Sequence, residues 1–188
     1  ELAGGVQGGT APVDYFIIRN NLVTNNGWYS LADKDNLKYG NGIMLIRAGS
    51  DRNLADANGS RYLSFESNTI SGNEKNGFYI GPKNKDLFST GNIIQNNGLG
   101  TGGYSLWDGV RVDLAESYYA PGTAYTDYGY LTDIPFSNGE IGGNGDFGYR
   151  VIQTPALGPV DARSNYWGAQ SGPYHATLNP GGTGNDVS

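Results

Sequence analysis

The chain has 188 residues, 31 of them Gly and 14 Tyr, with 37% apolar residues and no Cys. That length suits a single domain with a sizeable core, and the aromatic content excludes a disordered chain, which would have few rings to bury. A formal charge of −6 with only 12 Lys+Arg and no basic run argues against nucleic acid or an anionic membrane as partner, because both need clustered cations.

Other classes fall as quickly. Without Cys there is no disulfide and no thiolate zinc site, and a single His175 cannot build a multi-histidine metal centre. No apolar run approaches the ~18 residues of a membrane span, and no basic-then-apolar signal opens the chain.

Along the chain, short apolar pieces alternate with Asn/Gly corners. The first is "FIIRNNLVTNNG" (16–27), followed by an insertion "WYSLADKDNLKYGN" (28–41), "GIMLI" from Gly42 and a second insertion (47–61). "LSFESNTISGNEKNG" begins at Leu63 and runs into "GFYI" from Gly77; "LFSTGNIIQNNG" begins at Leu87 and is followed by "LGTGGYSLWD" (99–108) and "GVRV" from Gly109. After a long insertion (113–133) come "IPFSNGEIGGNGDFG" from Ile134, "GYRV" from Gly148, "VDARSNYWGAQSGP" from Val160 and a Gly/Pro-rich tail (171–188).

Five of these segments align on Asn21, Asn68, Asn92, Gly139 and Asn165. Phe16, Leu63, Leu87, Ile134 and Val160 stand five residues before that position, and Val23, Ile70, Ile94, Ile141 and Trp167 two after it. Asn26, Asn73, Asn97, Asn144 and Gln170 stand five after it. The shortest interval, Asn68 to Asn92, is 24 residues, and two intervals of 47 are about twice that. A period in this range signals stacked repeats that bury a common core. Asn suits the corners because it tolerates left-handed backbone geometry, can bond its own backbone, and can hydrogen-bond to its counterpart in the next layer as a ladder; Gly139 should break that ladder locally.

The recurring G-I-x-I and N-x-I-x-x-N pieces resemble the right-handed single-stranded parallel β-helix of the pectate-lyase-like superfamily over about residues 14–170. The resemblance implies an all-β solenoid of about five coils with long loop insertions. The GIMLI-type pieces would be the first strand of each coil, the piece before the key Asn the second, and the pair after it the third. The ending from Asn165 looks like a module that follows β-helical repeats in large secreted microbial surface proteins. Together with the abrupt start and stop, it suggests a piece of a larger extracellular or cell-surface chain with other domains.

Alternation along the first strand points Ile43, Phe78, Val110 and Tyr149, with Leu45, Ile80, Val112 and Val151, into the core. Met44, Tyr79, Arg111 and Arg150 then form an outward column, with Ile46, Gly81, Asp113 and Ile152 as a second. Stacked Arg111 and Arg150 would make a cationic strip on an acidic protein. The four insertions flank this face as two walls rich in rings, among them Trp28, Tyr29, Tyr39, Tyr104 and Trp107, suited to stacking on a sugar while hydrogen-bonding its hydroxyls. Trp167 falls at a core position.

These features predict a non-catalytic module that binds polysaccharide or cell-wall glycan, or acts as an adhesin, with Tyr79, Arg111 and Arg150 as the groove floor and Trp28, Tyr29, Tyr39, Tyr104 and Trp107 as stacking rings. The rival is a polysaccharide lyase or glycoside hydrolase. A glycosidase needs two carboxyls flanking the bond, and the candidates are Asp113, Asp108 and Glu116. In a lyase, Arg111 or Arg150 would be the base, and Asp108, Asp113 and Glu116 would hold calcium as cofactor; the binding reading needs none. A passive spacer is the third reading. His175 reads as a surface or packing histidine.

Overall fold

A computed structural model describes residues 2–3, 16–27, 40–46, 63–81, 87–100, 105–113, 135–152 and 161–188. Among these there is no helix, and all pairing between strands is parallel. The first sheet contains β1 (Leu2–Ala3), β4 (Ile43–Ile46), β7 (Phe78–Ile80), β10 (Val110–Val112) and β13 (Phe147–Val151), then β15 (Gly184–Val187) and β14 (Pro173–Tyr174). The second holds β2 (Phe16–Arg19), β5 (Leu63–Glu66), β8 (Leu87–Thr90) and β11 (Phe136–Ser137). The third holds β3 (Leu22–Thr24), β6 (Thr69–Ser71), β9 (Ile93–Gln95) and β12 (Glu140–Gly142). From β2 to β13 the chain visits the second, third and first sheets in strict rotation.

Parallel pairing in register follows from the repeat, because equal spacing brings like residues side by side. Ile43, Phe78, Val110 and Tyr149 form one inward column, and Val23, Ile70, Ile94 and Ile141 another. Phe16, Leu63 and Leu87 are likewise aligned, while Ile134 and Val160 lie outside the described residues. The columns meet in one hydrophobic core that also takes Trp167. Rings cross it edge to face from sheet to sheet: Phe65 on Phe78 at 4.8 Å, Phe78 on Phe136 at 5.5 Å and Phe136 on Tyr149 at 5.4 Å.

The corners work differently from the sequence expectation. The left-handed residue is not the laddered Asn but the one before it. Asn20, Ser67, Gly91, Asn138 and Ser164 have positive φ at the corner between the second and third sheets, as do Asn25, Gly72, Asn96 and Gly143 after the third. This leaves each following Asn free to turn inward and bond along the stack. Asn21 and its Nδ2 donate to Asn68 Oδ1, and Asn68 does the same to Asn92 Oδ1. A parallel ladder joins Asn26, Asn73, Asn97 and Asn144.

Gly139 interrupts the first ladder, having no side-chain oxygen for Asn92, and a Cβ there would collide with the Asn92 carbonyl oxygen; its N–H still donates to Asn165 Oδ1 at 3.0 Å. The fifth rung of the second ladder is Asn185, not Gln170. Asn144 donates its N–H to Asn185 Oδ1 at 2.8 Å, while Gln170 is exposed. The tail therefore folds back into the first sheet as β15, and Val187 packs on the core. His175 is half-buried at a turn, where its Nδ1 accepts the Leu178 N–H at 3.0 Å.

Candidate functional site

The site grows from the residue before each strand-opening glycine of the first sheet. Gly42, Gly77, Gly109 and Gly148 are stacked, and a Cβ on Gly109 would sit 2.5 Å from Asn144 Nδ2. Asn41, Asn76, Asp108 and Phe147 precede them and form a third ladder. Asn76 Nδ2 donates to Asn41 Oδ1 at 2.8 Å, Asp108 N–H to Asn76 Oδ1 at 3.1 Å, and Phe147 N–H to Asp108 Oδ1 at 3.2 Å. At Asp108 the ladder's amide is replaced by a carboxylate.

That carboxylate is fully buried. Burial pushes its pKa up to about 6, against the opposing pull of the Phe147 N–H and of Arg111 and Arg150. Arg111 and Arg150, adjacent in register on β10 and β13, both turn toward it. Arg111 Nη1 lies 3.4 Å from Asp108 Oδ2 and Arg150 Nη1 3.9 Å from Oδ1. Each has a further acidic partner: Arg111 Nε is 3.7 Å from Asp113 Oδ2, and Arg150 Nη1 is 3.0 Å from Asp146 Oδ2. The bare cationic strip expected from sequence is thus a compensated network. Two like charges on neighbouring strands are tolerable only with counter-charges between and beside them.

Rings flank both guanidiniums. Arg111 lies over Trp107 at 5.3 Å and Arg150 over Phe147 at 4.7 Å, while buried Lys75 sets its ammonium 4.7 Å from the Trp107 ring centre. Trp107 Nε1 and Arg111 Nε are buried without a hydrogen-bond partner among the described residues.

The expected outward column is in register, since Met44, Tyr79, Arg111 and Arg150 stand side by side. It is not an open floor throughout. Met44 and Tyr79 are buried, and β7 is buried on both faces; its Tyr79 is not available to a ligand as an exposed ring. Accessibility rises along the column to 17% for the Arg111 side chain and 33% for Arg150. In the second column, Asp113 is also buried.

Of the other expected site residues, Trp28, Tyr29, Tyr39, Tyr104 and Glu116 lie outside the described residues, as do most of the insertions 28–41 and 113–133 and all of 47–61. Asp108, expected on a loop, is a buried member of the third ladder. Asp146, Phe147 and Lys75 were not anticipated. The signal for the first two was present in the repeat: "WDGVRV" and "DFGYRV" place an acid and an aromatic before the strand glycine in both copies.

Of the expected calcium ligands only Asp108 and Asp113 lie among the described residues. Asp108 and Asp113 flank the Arg111 guanidinium, so a cation binding both would have to displace it. Among the described residues no group of three or more His, Asp or Glu side chains is arranged to hold a metal. Comparison of the chain with protein-family models, with curated proteins and with solved structures gives no match in any of the three.

Proposed function

We propose that the three sheets wind as a right-handed parallel β-helix of the pectate-lyase-like type, with about five coils. We further propose that the chain is a non-catalytic polysaccharide-binding or adhesive module of an extracellular microbial protein. The observation that carries this reading is the half-exposed margin of the first sheet. There Arg111 and Arg150 stand in register, held by carboxylates and flanked by the rings of Trp107 and Phe147. Flat rings beside fixed donors and acceptors suit a sugar, whose faces are apolar and whose edges carry hydroxyls.

Catalysis has less support, because the Asp108 carboxyl has no accessible surface and Arg111 and Arg150 are paired guanidiniums, which stay protonated and make poor bases. A glycan array is the test. Binding to at least one polysaccharide, weakened tenfold or more by Arg150→Ala and by Phe147→Ala, supports the assignment. A blank array, or affinity untouched by both changes, overturns it. Release of unsaturated products from uronate polymers, with or without calcium, would favour a lyase instead.

A further inference from the structure

Resting on that reading, we infer that this face takes a neutral, hydroxyl-rich polysaccharide rather than a uronate or sulfated one, and that Asp108 is the positioning residue that sets this preference. The two arginines stacked on an acidic chain leave open whether a local cationic patch overrides the net charge. Among the described residues Arg111 and Arg150 face three carboxylates, Asp108, Asp113 and Asp146, while Lys75 lies over the Trp107 ring. Among the described residues these three cations and three carboxylates leave no surplus positive charge, and they sit on a chain whose formal net charge is −6. An incoming polyanion would therefore meet repulsion from the protein and compete with carboxylates already placed on each guanidinium. A neutral sugar meets no such cost: the partly exposed side chains of Arg111, Arg150 and Asp146 keep N–H and oxygen groups that hydroxyls can bridge.

Asp108 is central because, among the described residues, it alone pairs with both arginines while anchoring the Phe147 N–H. An amide at this position preserves the anchor, as Asn76 does one layer earlier, but removes the charge that draws the guanidiniums inward.

The experiment titrates the intact chain with neutral glucan, mannan and xylan oligosaccharides and with polygalacturonate and alginate, at 50 and 500 mM NaCl. The expected result is binding of a neutral glycan that changes less than twofold with salt, with uronates at least tenfold weaker. Asp108→Asn should raise polygalacturonate affinity at least fivefold at low salt, and the gain should vanish at high salt. Asp146→Asn, at a carboxylate whose side chain is 39% exposed, should shift selectivity the same way with little effect on folding. Salt-sensitive binding of a uronate by the unaltered chain, or no shift in either variant, overturns this inference while leaving polysaccharide binding intact. If no glycan binds, both readings fall.

Discussion

Replacing Asn97 by Ala tests whether the inward ladders hold the stack together. Asn97 is fully buried, and its side chain makes four hydrogen bonds. Oδ1 accepts from Asn73 N and Nδ2 at 3.2 and 2.8 Å, and Nδ2 donates to the Ile70 carbonyl and Asn144 Oδ1, both at 3.0 Å. In the alanine variant Asn73 Nδ2 still reaches the Val23 carbonyl, and Asn144 Oδ1 still accepts the residue 97 N–H. The Asn73 N–H and the Ile70 carbonyl each lose this partner. At about 1–3 kcal/mol per buried polar group left unmatched, plus a small cavity term, the loss should be about 4 kcal/mol. With a urea slope of about 2 kcal/mol/M, the midpoint should fall by about 2 M. Asn26→Ala, at the exposed end of the same ladder, strands no buried group and should cost about 1 kcal/mol or less. Equal losses at the two positions, or a loss at Asn97 below about 1 kcal/mol, would refute the reasoning.

Three further outcomes follow from the packing and the site. Gly77→Ala would place a Cβ 2.7 Å from Ile94 Cγ2 and 2.8 Å from the Gly109 carbonyl oxygen, so its melting temperature should drop by the equivalent of about 2 kcal/mol or more, whereas Gly27→Ala, with no described atom nearer than 3.8 Å, should be near neutral. Trp167→Ala removes a buried ring from the closing layer and should cost about 3–5 kcal/mol in chemical denaturation. Asp108 has a folded pKa of about 6, above the ordinary aspartate value of about 3.9, so its stability contribution is present at low pH and lost as pH rises through 6. Between pH 7.5 and pH 5 the unaltered chain should gain about 1 kcal/mol relative to Asp108→Asn; no relative gain in paired melts would show that the carboxyl is not held in a desolvated place.

The three-sheet rhythm was legible because burying one face forces alternation and tight corners demand Asn or Gly. Both constraints act residue by residue, so Phe78, Val110, Ile70 and Ile94 could be assigned inward without coordinates. The left-handed residue was misassigned because Asn68 and Ser67 are both acceptable corner residues, and only the hydrogen bonds along the stack decide which side chain turns in. Asn185 was missed because it reaches its rung from a distant segment outside the repeat. The neutrality of the Arg111 and Arg150 pair was hidden for a related reason. A column read from one strand shows which like charges are stacked, but Asp108 and Asp146 enter from the turns before the strands.

The two long ladders also have a direction. At every rung the earlier backbone N–H points to the later side-chain oxygen, from Asn21 through Asn68 to Asn92 and from Asn26 through Asn73, Asn97 and Asn144 to Asn185. The amide dipoles therefore add along one axis, like arrows laid nose to tail. An extra layer created by in-frame duplication would slot between two existing ones with every amide matched. A layer entering upside down would set donor against donor, so proteins of this kind can lengthen by copying their own middle but not by joining two equal ends.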